Sequence, residues 1–139
     1  MTKTDYYNKH RLTPDSGNVV NSWGAVQSQS QKYLFQCWDD EKRFIKKEDR
    51  TDGTVMVVKL LSPQDLGLNG SGAQARNRSI LAVQAGATGY VAVSTGKYPN
   101  WIDAANLDQV YPVLILFEID GEIFAKVGSP LSTAIAFHP

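Results

Sequence analysis

Short apolar runs, separated by clusters of Gly, Pro, Asp, Asn and Ser, set the first reading of this chain, because runs of that length between turn residues are the pattern of strands. Val19–Val26 is a broken run, interrupted by Asn21, Ser22 and Gly24. Lys32–Trp38 is denser, with Tyr33, Leu34, Phe35, Cys37 and Trp38. A charged turn, Asp39–Lys42, precedes Arg43–Lys47, where Phe44 and Ile45 sit among cations as in a partly exposed strand returning as a hairpin. Thr54–Leu61 is nearly continuous in apolar residues, the pattern of a strand buried on both faces near the middle of a sheet. Trp38 and the run Val55–Leu61, Val57 included, are expected in the core. Tyr90–Ser94 is a further short strand.

The strongest local signal lies in the last third. Val113–Ile119 and Glu122–Val127 are separated by Asp120-Gly121, which suits a two-residue type I′ turn with positive φ at both positions. The terminal run Leu131–Phe137 is apolar and suits an edge strand or a subunit interface. One segment has the composition of a helix: Ala73–Ala85, rich in Ala, Gln, Arg and Leu, with Gly86 as its stop. A second, shorter helix is expected over about residues 100–108, capped by Asn100. Together these elements predict an α+β fold: a mostly antiparallel sheet of roughly five to seven strands, with helices on one face. Residues 1–18 read as a polar N-terminal arm closed by Pro14-Asp15-Ser16-Gly17, and residues 19–139 as one α+β domain.

Composition narrows the chemistry. The chain has 139 residues, with Lys+Arg 14 against Asp+Glu 14, so its formal charge is zero. Generic nucleic-acid coating needs an excess of cations that is absent here. The single cysteine, Cys37, excludes an intramolecular disulfide and a cysteine-based zinc site. Met1–Asn8 has no apolar stretch, and the longest apolar run, Val110–Phe117, is interrupted by Pro112. Neither resembles a signal or a membrane span, so a soluble, cytoplasmic protein without membrane partners is expected.

Catalytic constellations are thin. The two histidines, His10 and His138, lie in opposite terminal segments. No Gly-x-Ser-x-Gly elbow and no His-Glu-x-x-His pair occurs. Glu118, Asp120 and Glu122 are explained by the tip of a hairpin, and no catalytic residue, metal ligand or cofactor is assigned. The Gly67–Gly72 loop lacks the Lys-Ser/Thr of a P-loop and the third glycine of a dinucleotide fingerprint.

That loop nevertheless opens the main helix, where unpaired N–H groups and the helix dipole favour an anion. On a wheel at about 100° per residue, Val83, Ile80 and Leu81 define the apolar arc, Arg76 and Asn77 fall inside or beside it, and Arg78 and Ser79 fall outside. Asn69, Gly70, Ser71, Gly72, Arg76, Asn77 and Arg78 therefore form one candidate anion site. Its structural alternative is an Arg76 paired with a core-edge carboxylate such as Asp65 or Glu118. A second candidate is the loop around Lys97, Tyr98 and Trp101, which combines a cation with aromatic rings. The basic run Lys42–Arg50 reads as a solvated hairpin face or, more sharply, as a phosphate-tracking ribbon.

The resulting expectation is a small non-enzymatic domain that binds a phosphate-bearing ligand: a nucleotide, a nucleotide-derived signal or a short nucleic acid. A protein-interaction or inhibitor protein is the first alternative. A carboxylate- or metal-dependent hydrolase or nuclease is the second. Uncovered sheet edges lead to the expectation of a homodimer or higher homo-oligomer.

Overall fold

In the computed structural model, which describes residues 2–17, 22–38, 42–67, 70–94 and 108–138, nine strands form one mixed sheet. The strands are β1 (Thr13–Pro14), β2 (Gly24–Gln27), β3 (Lys32–Trp38), β4 (Lys42–Phe44), β5 (Met56–Leu61), β6 (Thr88–Ser94), β7 (Gln109–Ile119), β8 (Glu122–Val127) and β9 (Leu131–Ser132). Their order is β1-β2-β3-β6-β7-β8-β5-β4, with β9 on β7. The described helices are α1 (Lys3–Lys9), α2 (Pro63–Gly67), α3 (Ser71–Gln84) and α4 (Thr133–Ala136). The α+β class and the mostly antiparallel sheet agree with the sequence reading. The sheet is larger than expected, because two-residue strands at Thr13–Pro14 and Leu131–Ser132 are too short to leave a periodic pattern. The expected helix over residues 100–108 lies almost wholly outside the described residues.

One pair of strands is parallel. β3 runs alongside β6 from Lys32↔Thr88 to Trp38↔Ser94, and every other pairing is antiparallel. A parallel pair needs a long crossover, and the chain supplies it through β4, β5, α2 and α3. This also corrects the expected return of Arg43–Lys47 onto Lys32–Trp38: β4 pairs with β5, with Arg43 opposite Val57.

Alternation along the central strands shows why helices cover both faces rather than one. Phe35 and Cys37 of β3, with Val91 and Val93 of β6, enter a core shared with Ala73 and Ile80 of α3. Leu34 and Ala92 point the other way, into a second core with Tyr6 and Tyr7 of α1 and Ala136 and Phe137 at the C-terminus. The N-terminal segment is thus no loose arm. Thr2 and Asp5 form a capping box, and Tyr6 and Tyr7 are buried. Gln27 ties the two termini together, donating to the carbonyls of His10 and Phe137. The terminal apolar run also folds back onto its own sheet, with Ser132 capping α4 and Phe137 buried.

Asp120-Gly121 forms the expected turn, with φ of 52° and 82° and Ile119 opposite Glu122. Two core assignments need correction. Met56, Val58, Leu60 and Leu61 are the buried residues of β5, while Val57 is half-buried on the opposite face. β5 also lies next to the edge strand rather than in the middle of the sheet. Trp38, the last residue of β3, is 41% exposed.

Candidate functional site

Helix α3 positions the site, and its buried face is not the one the apolar residues alone suggest. The buried residues are Gly72, Ala73, Ala75, Arg76, Ser79 and Ile80. Small side chains let the helix settle close to the sheet, and the long one among them is Arg76. Leu81, one position and about 100° beyond Ile80, is turned outward and 55% exposed. Ser79, expected outside the arc, is inside it because the buried face is centred on residues 72, 76, 79 and 83.

Arg76 is 4% exposed and belongs to an interior polar cluster. Its Nη2 donates to the Gln36 carbonyl at 2.7 Å. Its guanidinium lies 5.8 Å from the Trp23 ring centre and 5.5 Å from that of Phe35. Nε and Nη1 have no hydrogen-bond partner, nor does Oδ1 of Asp15. Asp15 is raised above the usual carboxylate range by burial, and the charge of Arg76 opposes that rise. Lys3 reaches the same region from α1, donating Nζ to the Ser22 carbonyl at 2.9 Å, and burial lowers its pKa. The Tyr7 hydroxyl donates to Gln36 Oε1 at 3.2 Å, and burial pushes that phenol up. Arg76 is therefore buried, and its hydrogen bond goes to a backbone carbonyl rather than to a carboxylate. The carboxylate whose charge it influences is Asp15 rather than Asp65 or Glu118. Asp65 instead accepts from the backbone and hydroxyl of Ser62 at the start of α2.

Arg78 lies two residues on, faces away from this cluster and is exposed. It borders a groove of about 310 Å³ between α3 and the β2–β3 hairpin. Val26 and Tyr33, paired across the two strands, form the floor. Ala75, Arg78 and Ser79 form the helix wall. Ser28 and Gln31, from the turn that joins β2 to β3, close one end, and Asp15 contributes to the lining as well. Gln31 adopts φ of 54°, the left-handed conformation that turns the chain back into β3.

The structure divides the residues expected to form one anion site. Gly70 is the N-cap of α3 and makes no side-chain cap, Ser71 is exposed and Gly72 is buried. Asn77 is half-buried. Neither the Gly70–Gly72 segment nor Arg76 lines the groove; Arg78 does. Asn69, Lys97, Tyr98 and Trp101 lie outside the described residues. Tyr33, Ser28 and Gln31 went unrecognised in the sequence. Tyr33 reads there as one more strand aromatic, and nothing local connects it to a helix 45 positions later.

A second groove, of about 320 Å³, is lined by Val83, Gln84, Ala87 and residues 113–116 of β7, with Leu114 and Ile115 half-exposed. Among the described residues there is no group of three or more His, Cys, Asp or Glu able to hold a metal ion. No described helix is long and apolar enough to cross a membrane. Comparison with protein-family models, curated proteins and solved structures found no match to this chain.

Proposed function

We propose that the protein is a non-enzymatic binding domain for a small phosphate-bearing ligand of the nucleotide class, held in the groove between α3 and the β2–β3 hairpin. The observation that carries this reading is the pairing of an exposed guanidinium with an aromatic floor: Arg78 on the helix wall and Tyr33 on the strand beneath it. A guanidinium presents five donors in a planar fork suited to phosphate oxygens. A tyrosine ring offers a face on which a base stacks. Ser28 and Gln31 add neutral donors and acceptors at the closed end. A volume near 310 Å³ is at the small end of the range for small-molecule sites. The site carries no histidine and no carboxylate pair, which favours binding over turnover.

Calorimetry with mono- and dinucleotides tests this directly. Binding by the parent chain that is weakened about ten- to a hundredfold by Arg78→Ala, with the melting temperature unchanged, supports it. Absence of binding at millimolar nucleotide, or an Arg78→Ala chain that binds like the parent, overturns it.

A second reading, a protein-interaction domain, rests on the groove beside β7, where Leu114 and Ile115 stand exposed. The hydrolase reading gains nothing comparable. Asp52 and Glu122 engage Lys126 and Lys59 at 3.7 and 3.9 Å in surface ion pairs, away from any groove described above.

A further inference from the structure

The half of the sheet made by β4, β5, β8 and β7 has one face in the core and one face on which no described helix lies. Met56, Val58, Ala125 and Val127 point into the core shared with α3. Alternation then sends Val57 and Lys59 of β5, and Phe124 and Lys126 of β8, to the opposite face. Cross-strand partners share a face, so the registers add Arg43 of β4, opposite Val57, and Ile115 and Phe117 of β7, opposite Lys126 and Phe124. The described helices lie elsewhere: α3 on the core side, α1 and α4 over the second core, and α2 against α3.

Two rows cross this face. One reads Arg43, Val57, Lys126, Ile115; the next reads Lys59, Phe124, Phe117. Phe117 and Phe124 are stacked, with ring centres 5.4 Å apart and planes at 19°, and both are partly exposed. Cations therefore flank an aromatic pair on an open sheet surface. Lys59 and Lys126 are each engaged by one carboxylate, Glu122 at 3.9 Å and Asp52 at 3.7 Å, in pairs whose side chains are 39–55% exposed. Ion pairs that open to water contribute little, so a polyanion displaces the carboxylates readily.

We propose that this face binds a short stretch of single-stranded nucleic acid, with bases on the Phe117–Phe124 pair and phosphates on Lys59, Lys126 and Arg43. The occupant follows from charge and shape together. Rings in an open sheet stack bases without regard to sequence, and cations beside them track a phosphate backbone. An apolar protein partner would have to bury the Lys59–Glu122 and Lys126–Asp52 pairs against apolar surface, which is costly. This site is separate from the Arg78 groove, which lies across the core on the α3 side.

The test is fluorescence anisotropy with labelled oligo-dT and oligo-U of about 12 nucleotides, with the whole chain as titrant. Saturable binding at about 50 mM salt is expected, falling steeply as salt rises. Lys59→Ala with Lys126→Ala should reduce the slope of log affinity against log salt by about 1–2. Phe124→Leu, which keeps apolar packing and removes the ring, should weaken binding about tenfold. Asp52→Asn with Glu122→Gln should tighten binding by freeing both lysines, and Asn still accepts the Thr54 N–H that Asp52 accepts now. Arg78→Ala should bind the oligonucleotides like the parent, which separates this proposal from the nucleotide groove. No binding at low salt, an unchanged salt slope in the lysine double variant, or a dimer that Ile115→Lys dissociates would each overturn it.

Discussion

Arg76 and Arg78 stand two residues apart on one helix and have opposite fates. Arg76 is 4% exposed, stacked against Trp23 and Phe35 and facing the buried carboxyl of Asp15. Arg78 is exposed at the rim of the groove beside the β2–β3 hairpin. Two residues along a helix is about 200° of rotation, so the same side chain meets the interior in one case and solvent in the other. The guanidinium nearest the glycine-rich loop is packed into the interior, and the exposed one sits two residues further on.

The largest expected effect breaks the interior member of the pair. Arg76→Ala removes the cation that faces Asp15 and leaves a void between Trp23 and Phe35. A loss of about 2–5 kcal/mol in urea unfolding is expected, the range for truncating a long side chain in a packed interior. A change within about 0.5 kcal/mol would place Arg76 at the surface and undo the contrast. Gly24→Ala acts on the same region from the strand side. A Cβ there would collide with the Leu34 carbonyl oxygen and approach Asp15 Oδ2 at 3.2 Å. Because the obstacle is backbone, a cost of about 1–3 kcal/mol is expected.

Acid titration sharpens the comparison further. Burial holds the Asp15 carboxyl above its ordinary value of 3.8 when folded, so in the window just above that value the native state binds more protons than the unfolded state. Its contribution to stability is fully present below pH 3.8 and is lost as pH rises through the folded value. Acidification from pH 7 should therefore favour the parent relative to Asp15→Asn in paired urea titrations. His10 runs the other way. Burial lowers its pKa from 6.5, so its contribution is present above 6.5 and is lost as pH falls through the folded value. His10→Gln should flatten that acid limb.

What the residue pattern revealed depended on how local each determinant is. Asp120-Gly121 announces its turn because two adjacent positive φ angles demand those residues. Lys32–Trp38 has the same limits in pattern and structure, since turn residues bound it on both sides. The parallel pairing of β3 with β6 left no trace, because it joins residues more than 50 positions apart. The same holds for α1. Tyr6 and Tyr7 are adjacent and flanked by polar residues, so no helical stripe shows, yet each buries its ring against a sheet assembled later in the chain. The site divided in the same way. Arg78 was legible as a helix cation, whereas Tyr33, Ser28 and Gln31 became its neighbours through tertiary packing alone. Ser79 and Leu81 were misplaced relative to the buried face because small residues, not large apolar ones, define that face of α3.

The smallest structural effect belongs to the rim: Arg78→Ala should shift the melting temperature by no more than a substitution at an ordinary surface position, within about 0.5 kcal/mol. That makes a paired experiment the most direct test of the division of labour on α3. Nucleotide affinity and melting temperature are measured side by side for Arg76→Ala and Arg78→Ala. The account predicts that Arg78→Ala loses affinity about ten- to a hundredfold and keeps its melting temperature, while Arg76→Ala melts lower and its folded fraction still binds. An Arg76→Ala chain that melts like the parent but no longer binds, or an Arg78→Ala chain that binds unchanged, would contradict it.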